Sequence, residues 1–429
     1  MEKIKINKLV FGGQGLGETP TGKKAFVWNA LPGELVEVEF TKKKRGYVEA
    51  VAENIIDPSK DRIDPKEDHF LSCSPWQIMT SSAENSWKEK IAAETFEKIA
   101  NLSLNWEIKS IENQSYGYRN KMEFSFWWDN DTNKISLSLF KRGSKGKYPL
   151  DGCLLASPAI NKIGDNLVKW LNNEAVEARK LKTVIIRSNI KGEVIAGLFI
   201  KEDINFTSYP ELQDGLIGLT IFYSEPKSPA SVPTKILWHI GAEYLTEKIS
   251  DKAFQYGLLS FFQVNLPVFD LAVSDIRSGM ENESGTLVDF YSGVGSIGIS
   301  VGSDFEKCLL IENNAEAVSF AQKNIEINKL SQFKAILSPS EKMLDEIKSD
   351  RVIIFDPPRA GLHDKIIERI LIQKPKKIVY LSCNLSTQAR DVGLLKDRYK
   401  ITLNKLYNFF PRTPHFEGLI ILNLIDGKN

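Results

Sequence analysis

The segment VYLSCNLSTQARD, Val379–Asp391, carries an apolar run, Ile378–Leu381, abruptly into Ser382, Cys383 and Asn384. A free cysteine is usually a buried, inert side chain. At the mouth of a strand, beside small polar residues, it stands where a sheet presents reactive groups, and its thiolate is a nucleophile. Other strand ends carry chemistry of their own. LVDFYSGVGSIGI ends a strand at Asp289 and turns through Gly293 and Gly295 towards a helix, and such glycines let the backbone approach a ligand closely. LLIENN closes the next strand with Glu312, about 20 residues after the glycines, where an acid can hold ribose hydroxyls. VIIFDPPRAGLH sets Asp356 at a further strand end, with Pro357 and Pro358 stiffening the chain behind it. FFPRTPHFEGLIILNL leads His415 and Glu417 into a last apolar strand. A glutamate there is costly to bury without a role or a partner. His415 reads as a packing or hydrogen-bonding residue.

These groups share one edge only if the chain from about residue 258 folds as a doubly wound, mostly parallel sheet. Its strand–turn–helix texture supports that α/β architecture, in which ligands bind at the carboxyl ends of the strands. A short G-x-G without the third glycine of the dinucleotide pattern, followed by an acid closing the second strand, suits an adenosine-bearing cofactor that lacks a pyrophosphate. S-adenosylmethionine (SAM) fits that description. A rigid Asp-Pro-Pro at a strand end points to methyl transfer onto a base or an amide.

Upstream, residues 1–57 read as a small β-barrel: AFVWNA and ELVEVEF as strands, GGQGLGE and LPGE as turns. TKKKRGYVEAV adds a basic turn, Lys42, Lys43, Lys44 and Arg45, readable as a phosphate contact or as an ordinary solvated charge run. DPSKDRIDP reads as a linker and ENSWKEKIAAETFEKIANLS as an amphipathic helix. Residues 58–257 are expected to form an α+β domain, in which residues 115–255 alternate the strands KMEFSFWW, KISLSLF, TVIIRSN and VIAGLFI with helices and the helix near residues 83–102 is open to packing on the doubly wound domain; residues 258–429 are expected to form that doubly wound domain.

Composition sets limits. The 429 residues suffice for several domains, and the net charge of +1 carries no general field towards nucleic acid. The four cysteines, Cys73, Cys153, Cys308 and Cys383, are too few and too scattered for a disulfide scaffold. No apolar run reaches the ~18 residues of a membrane helix, and MEKIKINKLVFGGQGLGE lacks the features of a signal peptide. A cytoplasmic location is therefore expected.

The segments SFFQVN, DFYSGVGSIG, DPPRAGL, SCNLSTQARD and FPRTPHFE, in this order, resemble the 5-methyluridine RNA methyltransferase family, close to its bacterial 23S rRNA branch. The resemblance implies a Rossmann-like class I SAM methyltransferase domain, with residues 1–57 as an RNA-binding TRAM barrel. It implies Cys383 as the nucleophile at uracil C6 and Glu417 as the base that removes the C5 proton. Gln263, Tyr291, Gly293, Gly295, Ser296, Glu312 and Asp356 fall at positions around SAM, although Ser296 stands where Asn or Thr is common. Phe261 and Arg119 fall at positions near RNA, and Phe261 reads equally well as a packing residue. The implied partner is RNA, 23S rRNA by branch and tRNA as the alternative, with the protein a monomer and no membrane involved.

The family also implies a [4Fe–4S] cluster held by Cys-x5-Cys-x2-Cys and a later cysteine. Cys73 and Cys153 match, but Glu67 and Trp76 occupy the other two places. Two thiolates fall short of four, so no iron–sulfur cluster and no metal site are expected. Cys73 and Cys153 then read as structural, although with His69 they could form another metal site; Cys308 reads as core. Two rival activities remain. An exocyclic-amine base methyltransferase would have no need of Cys383 or Glu417. A SAM- and RNA-binding protein without catalysis would differ in failing to transfer methyl groups.

Overall fold

Alternation builds the first element. In Glu2–Leu9 the inward positions are Ile4, Ile6 and Leu9, and in Leu35–Lys43 they include Val36 and Val38. Burying one face closes five strands into a barrel, in the order Glu2–Leu9, Gly15–Glu18, Lys24–Trp28, Tyr47–Asp57, Leu35–Lys43, and closure removes the open edge. The structure, a computed structural model, describes residues 2–144, 146–228 and 231–425. Residue 1 and residues 426–429, at the limits of the expected first and last domains, lie outside the described residues. GGQGLGE is a turn only in its first half, because Gly15–Glu18 is a strand. A Cβ on Gly17 would sit 2.4 Å from the Lys5 carbonyl oxygen, so the approach of the neighbouring strand excludes a side chain there.

The expected linker at DPSKDRIDP is instead a clamp. The Glu34 carboxylate is fully buried and accepts bonds from the amides of Leu31 and Ser59 and from Arg62 Nε and Nη2, the last at 2.8 Å. A buried carboxylate needs such donors. Beyond it, a seven-stranded sheet runs Lys235–Gly241, Leu216–Tyr223, Val194–Ile200, Leu181–Ser188, Lys121–Asp129, Lys134–Phe140, Lys147–Leu150. Where several helices were expected among residues 115–255, the described residues hold one α-helix, Pro158–Asn173. It is capped by Ser157 and buries Ile160, Ile163, Leu167 and Leu171 at helical spacing.

The barrel strands end at Asp57, and the chain as a whole divides into two compact units. One unit comprises Met1–Glu84, Asn113–Leu245 and Pro411–Pro414; the other comprises Asn85–Glu112, Thr246–Phe410 and His415–Asn429. Particular bonds explain the excursions. Ile108–Lys109 pairs with Tyr399–Tyr407, which draws the segment after the long helix Ser81–Ala100 into the second unit. Asn324 and Asn328 bond the backbone of Gln255 and Ala253 in both directions, which draws in the residues before 258. Pro411–Pro414 joins the first unit through Arg412, whose guanidinium reaches Met79 O at 2.7 Å and Ser81 Oγ at 2.6 Å.

In the second unit, the sheet order is Phe333–Leu337, Lys307–Glu312, Thr286–Phe290, Arg351–Phe355, Lys377–Ser382, Glu417–Leu424, Tyr399–Tyr407, Ile108–Lys109. The first five strands are parallel. Arg351–Phe355 and Lys377–Ser382 are buried at every position, as expected for strands covered on both faces. The order reverses direction between Thr286–Phe290 and Arg351–Phe355, the switch point at which such sheets bind ligands. Glu417–Leu424 enters antiparallel to Lys377–Ser382. Among the described residues, no helix is long and apolar enough to cross a membrane.

Asp275, in the helix Leu266–Gly279, fixes the far edge of this sheet. Its carboxylate takes Lys109 Nζ at 2.7 Å, Lys405 Nζ at 3.0 Å and Tyr407 Oη at 2.7 Å. Burial pushes its carboxyl up, but the donors from Lys109, Tyr407 and Lys405 outweigh that and hold it below the usual range. Its stabilising contribution is therefore present above the ordinary carboxylate pKa of ~4 and is lost as the pH falls. Asp275→Ala is expected to cost about 2 kcal/mol in urea unfolding at neutral pH, with the gap to the wild type closing in acid. Equal stabilities at neutral pH would show that the clamp does not stabilise the fold.

Candidate active site

The glycine turn is the first half of the site. After Thr286–Phe290 the backbone takes positive φ at Tyr291 (62°), Gly293 (56°) and Gly295 (86°) before the short helix Ser296–Val301. For Tyr291 this is strain, costing on the order of 1–3 kcal/mol, of the kind that collects at ligand clamps. A Cβ on Gly293 would meet nothing closer than the Phe261 carbonyl oxygen at 4.0 Å, so the space above this turn is open. Gly295 is glycine for another reason: a Cβ there would strike Ile299 and Leu310 at 2.8 and 2.9 Å.

Glu312 is tied to this turn. Oε2 accepts from Gly293 N at 3.0 Å, and Oε1 from the amides of Asn313 and Asn314 at 2.8 Å. Three amides aim the carboxylate and leave lone pairs for sugar hydroxyls. Behind the turn, Asp289 is buried and accepts from Gly298 N at 2.9 Å, while its Oδ1 has no hydrogen-bond partner. Burial pushes this carboxyl well above the usual range, against the Gly298 amide, and the carboxylates of Asp356 and Glu312 add to the rise. Ser296 and Gln263 are also buried. An open turn, a strained tyrosine and an oriented acid suit an adenosine-bearing ligand.

The second half is built by strand direction. Asp356 follows Arg351–Phe355, and Cys383 follows Lys377–Ser382 on the adjacent strand. Both therefore lie at the carboxyl edge. Glu417 begins a strand, yet reaches the same edge because that strand is antiparallel. Ser382 pairs with Gly418, so the next step along the ladder sets Cys383 across from Glu417.

Three acids crowd this corner. Burial alone lifts the Asp356 carboxyl to about 7. Burial, then the charge of Asp356, pushes Glu417 well above the carboxylate range, and its Oε2 is buried without a hydrogen-bond partner. Burial, then Glu417 and Asp356, pushes the Cys383 thiol up to about 11, with Arg359 opposing. The three groups cannot all be ionised together, and each deprotonation raises the cost of the next.

The sequence reading assigned no role to the side chains that brace this corner. Gln388 Nε2 donates to Tyr380 O at 2.9 Å and to Gly418 O at 2.8 Å, joining the strands that carry Cys383 and Glu417. Asn384 caps the helix Leu385–Leu395 and donates to Arg359 O at 2.8 Å, which locks the DPPRAG turn to the cysteine turn. Asp391 accepts from Tyr380 Oη at 2.8 Å and Leu362 N at 2.9 Å. The signal was present as polar residues at i, i+4 and i+7 on one helix face. Their burial was not visible without the fold.

The remaining candidates divide. Phe261 is 64% exposed, so packing does not explain it, and its carbonyl borders the open turn. The basic turn is narrower than expected, because Lys42 and Lys43 lie within the strand Leu35–Lys43, leaving Lys44 and Arg45 in the turn. All four are exposed, with Lys42 Nζ 3.1 Å from Glu49 and Lys43 over the Phe40 ring. Arg119 is half-buried in the first unit, with its backbone bridged to Ala156. His415 is exposed beside Phe410. Cys308 is buried, its thiol donating to Gly302 O.

Known proteins share this plan. An uncharacterized RNA methyltransferase of Fusobacterium nucleatum is 30% identical, covering 97% of this chain and 95% of its own. One from Caldanaerobacter subterraneus is 29% identical, with 96% of each chain covered. The crystal structure of the Pyrococcus abyssi tRNA (uracil-54, C5)-methyltransferase, in complex with S-adenosyl-L-homocysteine, superposes with a TM-score of 0.76 at 24% identity, covering 98% of this chain and all of that one. The TRAM domain profile matches residues 2–52, and the profile described as tRNA (Uracil-5-)-methyltransferase matches residues 86–425. The chain belongs to that uracil-5-methyltransferase family, and is an RNA (uracil-C5) methyltransferase with an N-terminal TRAM barrel.

Proposed function

We propose that this protein forms 5-methyluridine in 23S rRNA from SAM, as a cytoplasmic monomer, with Cys383 as nucleophile and Glu417 as base. The observation that carries the reading is that Cys383 and Glu417 flank the last ladder pair, Ser382–Gly418, and that Glu417 is buried with Oε2 lacking a hydrogen-bond partner. Gln263, Tyr291, Gly293, Gly295, Ser296, Glu312 and Asp356 are the residues that would hold SAM. Bound there, it supplies an electrophilic methyl group.

The residues of the chain do the rest. The Cys383 thiolate adds to uracil C6, and the C5=C6 electron pair moves towards O4, which makes C5 nucleophilic. After C5 is methylated it carries both the methyl group and its original proton. Glu417 takes that proton, the C5=C6 bond re-forms, and the thiolate is expelled. A carboxylate with raised proton affinity is a stronger base for a carbon acid, and such general-base work contributes ~10²–10⁴-fold. The mutual repulsion at this corner suits the sequence of events. Cys383 is uncharged while bonded to C6, which is when Glu417 must be ionised. Glu417 is neutral once it holds the proton, which is when the thiolate leaves.

The motif likeness to the 23S rRNA branch supports rRNA as substrate. A tRNA substrate is the second reading. It is favoured by the family description and by the Pyrococcus enzyme, whose name specifies tRNA. That enzyme matches over 98% of this chain, barrel included, so the barrel by itself does not separate the two. Transcripts of both RNAs should be assayed for 5-methyluridine by nucleoside mass spectrometry. Methylation of tRNA alone would replace the rRNA assignment, and methylation of neither would exclude both substrates.

Cys383→Ala is expected to lose turnover while retaining SAM binding, and RNA carrying 5-fluorouridine is expected to trap wild-type protein covalently. An active alanine variant would exclude the covalent route. Glu417→Gln is expected to accumulate protein–RNA adduct with ordinary uridine on denaturing gels, because addition proceeds and release fails. Normal turnover in that variant would assign the base elsewhere.

Neutralising Lys42, Lys43, Lys44 and Arg45 together is expected to weaken RNA binding. The log–log salt slope should flatten by about 0.7–0.9 for each phosphate that is no longer neutralised. An unchanged slope would return the four cations to ordinary solvated surface.

A further inference from the structure

Glu67, His69, Cys73 and Cys153 each offer a ligand atom, and these atoms all lie within 4.8 Å of one another. Glu67 and His69 precede the short helix Phe70–Cys73, and Cys153 lies in the turn between Lys147–Leu150 and Pro158–Asn173. The two cysteines are free thiols. His69 Nε2 is buried 3.2 Å from Glu67 Oε1 but is not aligned for a hydrogen bond. Cys73 Sγ lies 4.0 Å from Glu67 Oε2. The cluster belongs to the first unit, whereas the residues given a part in methyl transfer belong to the second.

The cubane cluster implied by the family does not fit these residues. It takes four thiolates, and two are present. Trp76, at one of the two substituted positions, is buried with its indole N–H donating to Gly13 O at 2.9 Å, so it serves the barrel turn. The expectation of no cluster rested on counting thiolates; His69 was already a possible partner of the two cysteines, and the fold brings the Glu67 carboxylate to the same point. Two sulfurs, one nitrogen and one oxygen suit a borderline, tetrahedral ion, and with four protein ligands the site is closed. All-oxygen ions such as magnesium and calcium do not match the donors.

We propose that Glu67, His69, Cys73 and Cys153 bind one zinc ion as a structural site. The groups around them are already placed as outer supports of a metal site are. Glu67 Oε1 accepts from Leu154 N at 2.6 Å and Oε2 from Gln77 Nε2 at 2.7 Å, which aims the carboxylate and leaves it lone pairs. Asn161 bonds both the amide and the carbonyl of Cys153, each at 3.0 Å. The ion would tie residues 67–73 to the turn at 153. That turn in turn holds the strand-like segment of Arg119, through Gly117 N to Leu154 O and Arg119 N to Leu155 O.

The test reads metal content, so its outcome is independent of the methylation assay. Protein expressed with zinc and washed with chelator is expected to retain one zinc per chain by elemental analysis. Chelator-stripped protein loaded with cobalt(II) is expected to show thiolate charge-transfer bands and the d–d bands of a tetrahedral ion. Cys73→Ser and Cys153→Ser are expected to lose both signals. Gln77→Leu removes the bond that aims Glu67, along with the Gln77 bonds to Ser74 Oγ and Lys66 N, and keeps all four ligands; it is expected to weaken zinc binding by about 10–100-fold. Wild-type protein without zinc and without cobalt bands would overturn the proposal. So would a brown preparation holding iron and sulfide, or zinc binding indifferent to both cysteines.

Discussion

The antiparallel pairing of Lys377–Ser382 with Glu417–Leu424 is the constraint on which the site depends. In a parallel sheet every strand begins at the edge opposite the ligands. Glu417 opens its strand and still reaches the carboxyl edge, because that strand runs backwards beside the one that ends in Cys383. Strand side chains alternate between faces, so a slip of one residue would turn Glu417 away from Cys383. The register is held by Gln388, which bonds the carbonyls of Tyr380 and Gly418 across the two strands. Gly418 must be small for the same reason: a Cβ there would lie 2.7 Å from Gln388 Oε1.

The buried carboxylates of the chain fall into two kinds. Glu34 and Asp275 are surrounded by donors, so burial is offset by hydrogen bonds and ion pairs. Such acids hold elements together. Asp289 and Glu417 each keep one buried oxygen with no partner, and burial drives both carboxyls towards the neutral form. An unsatisfied buried acid costs stability. It persists where a proton or a ligand needs the free lone pair. At Glu417, the same feature that weakens the fold raises the proton affinity of the carboxylate.

The chain is folded through itself more than a linear reading allows. The segment before the last strand leaves its sheet at Pro411–Pro414, where Arg412 bonds Met79 and Ser81, and returns to supply Glu417. Residues 85–112 belong with the doubly wound unit although the seven-stranded sheet follows them in sequence. The stretch read as a linker was the least legible part. Asp61-Arg62 looks like solvated turn sequence, and only the position of Glu34 shows that Arg62 is an anchor.

The sequence by itself determined the class of the fold and the chemistry of its strand ends. Apolar runs closed by glycines, Glu312, Asp356 and Cys383 are local patterns, and the rule that such sheets bind at their carboxyl edge needs no coordinates. The barrel was equally readable, because alternation over a few residues dictates which face is buried. Tertiary structure decided what depends on distance across the chain. Phe261 reads alike as core or contact until its exposure is known. Gln388 reads as a surface helix residue until two strands are seen to meet at it. The four groups Glu67, His69, Cys73 and Cys153 span more than eighty residues; the sequence could group His69 with the two cysteines, and only the fold shows the Glu67 carboxylate meeting them. Local patterns fix what each residue can do, and only long-range packing fixes which residues do it together.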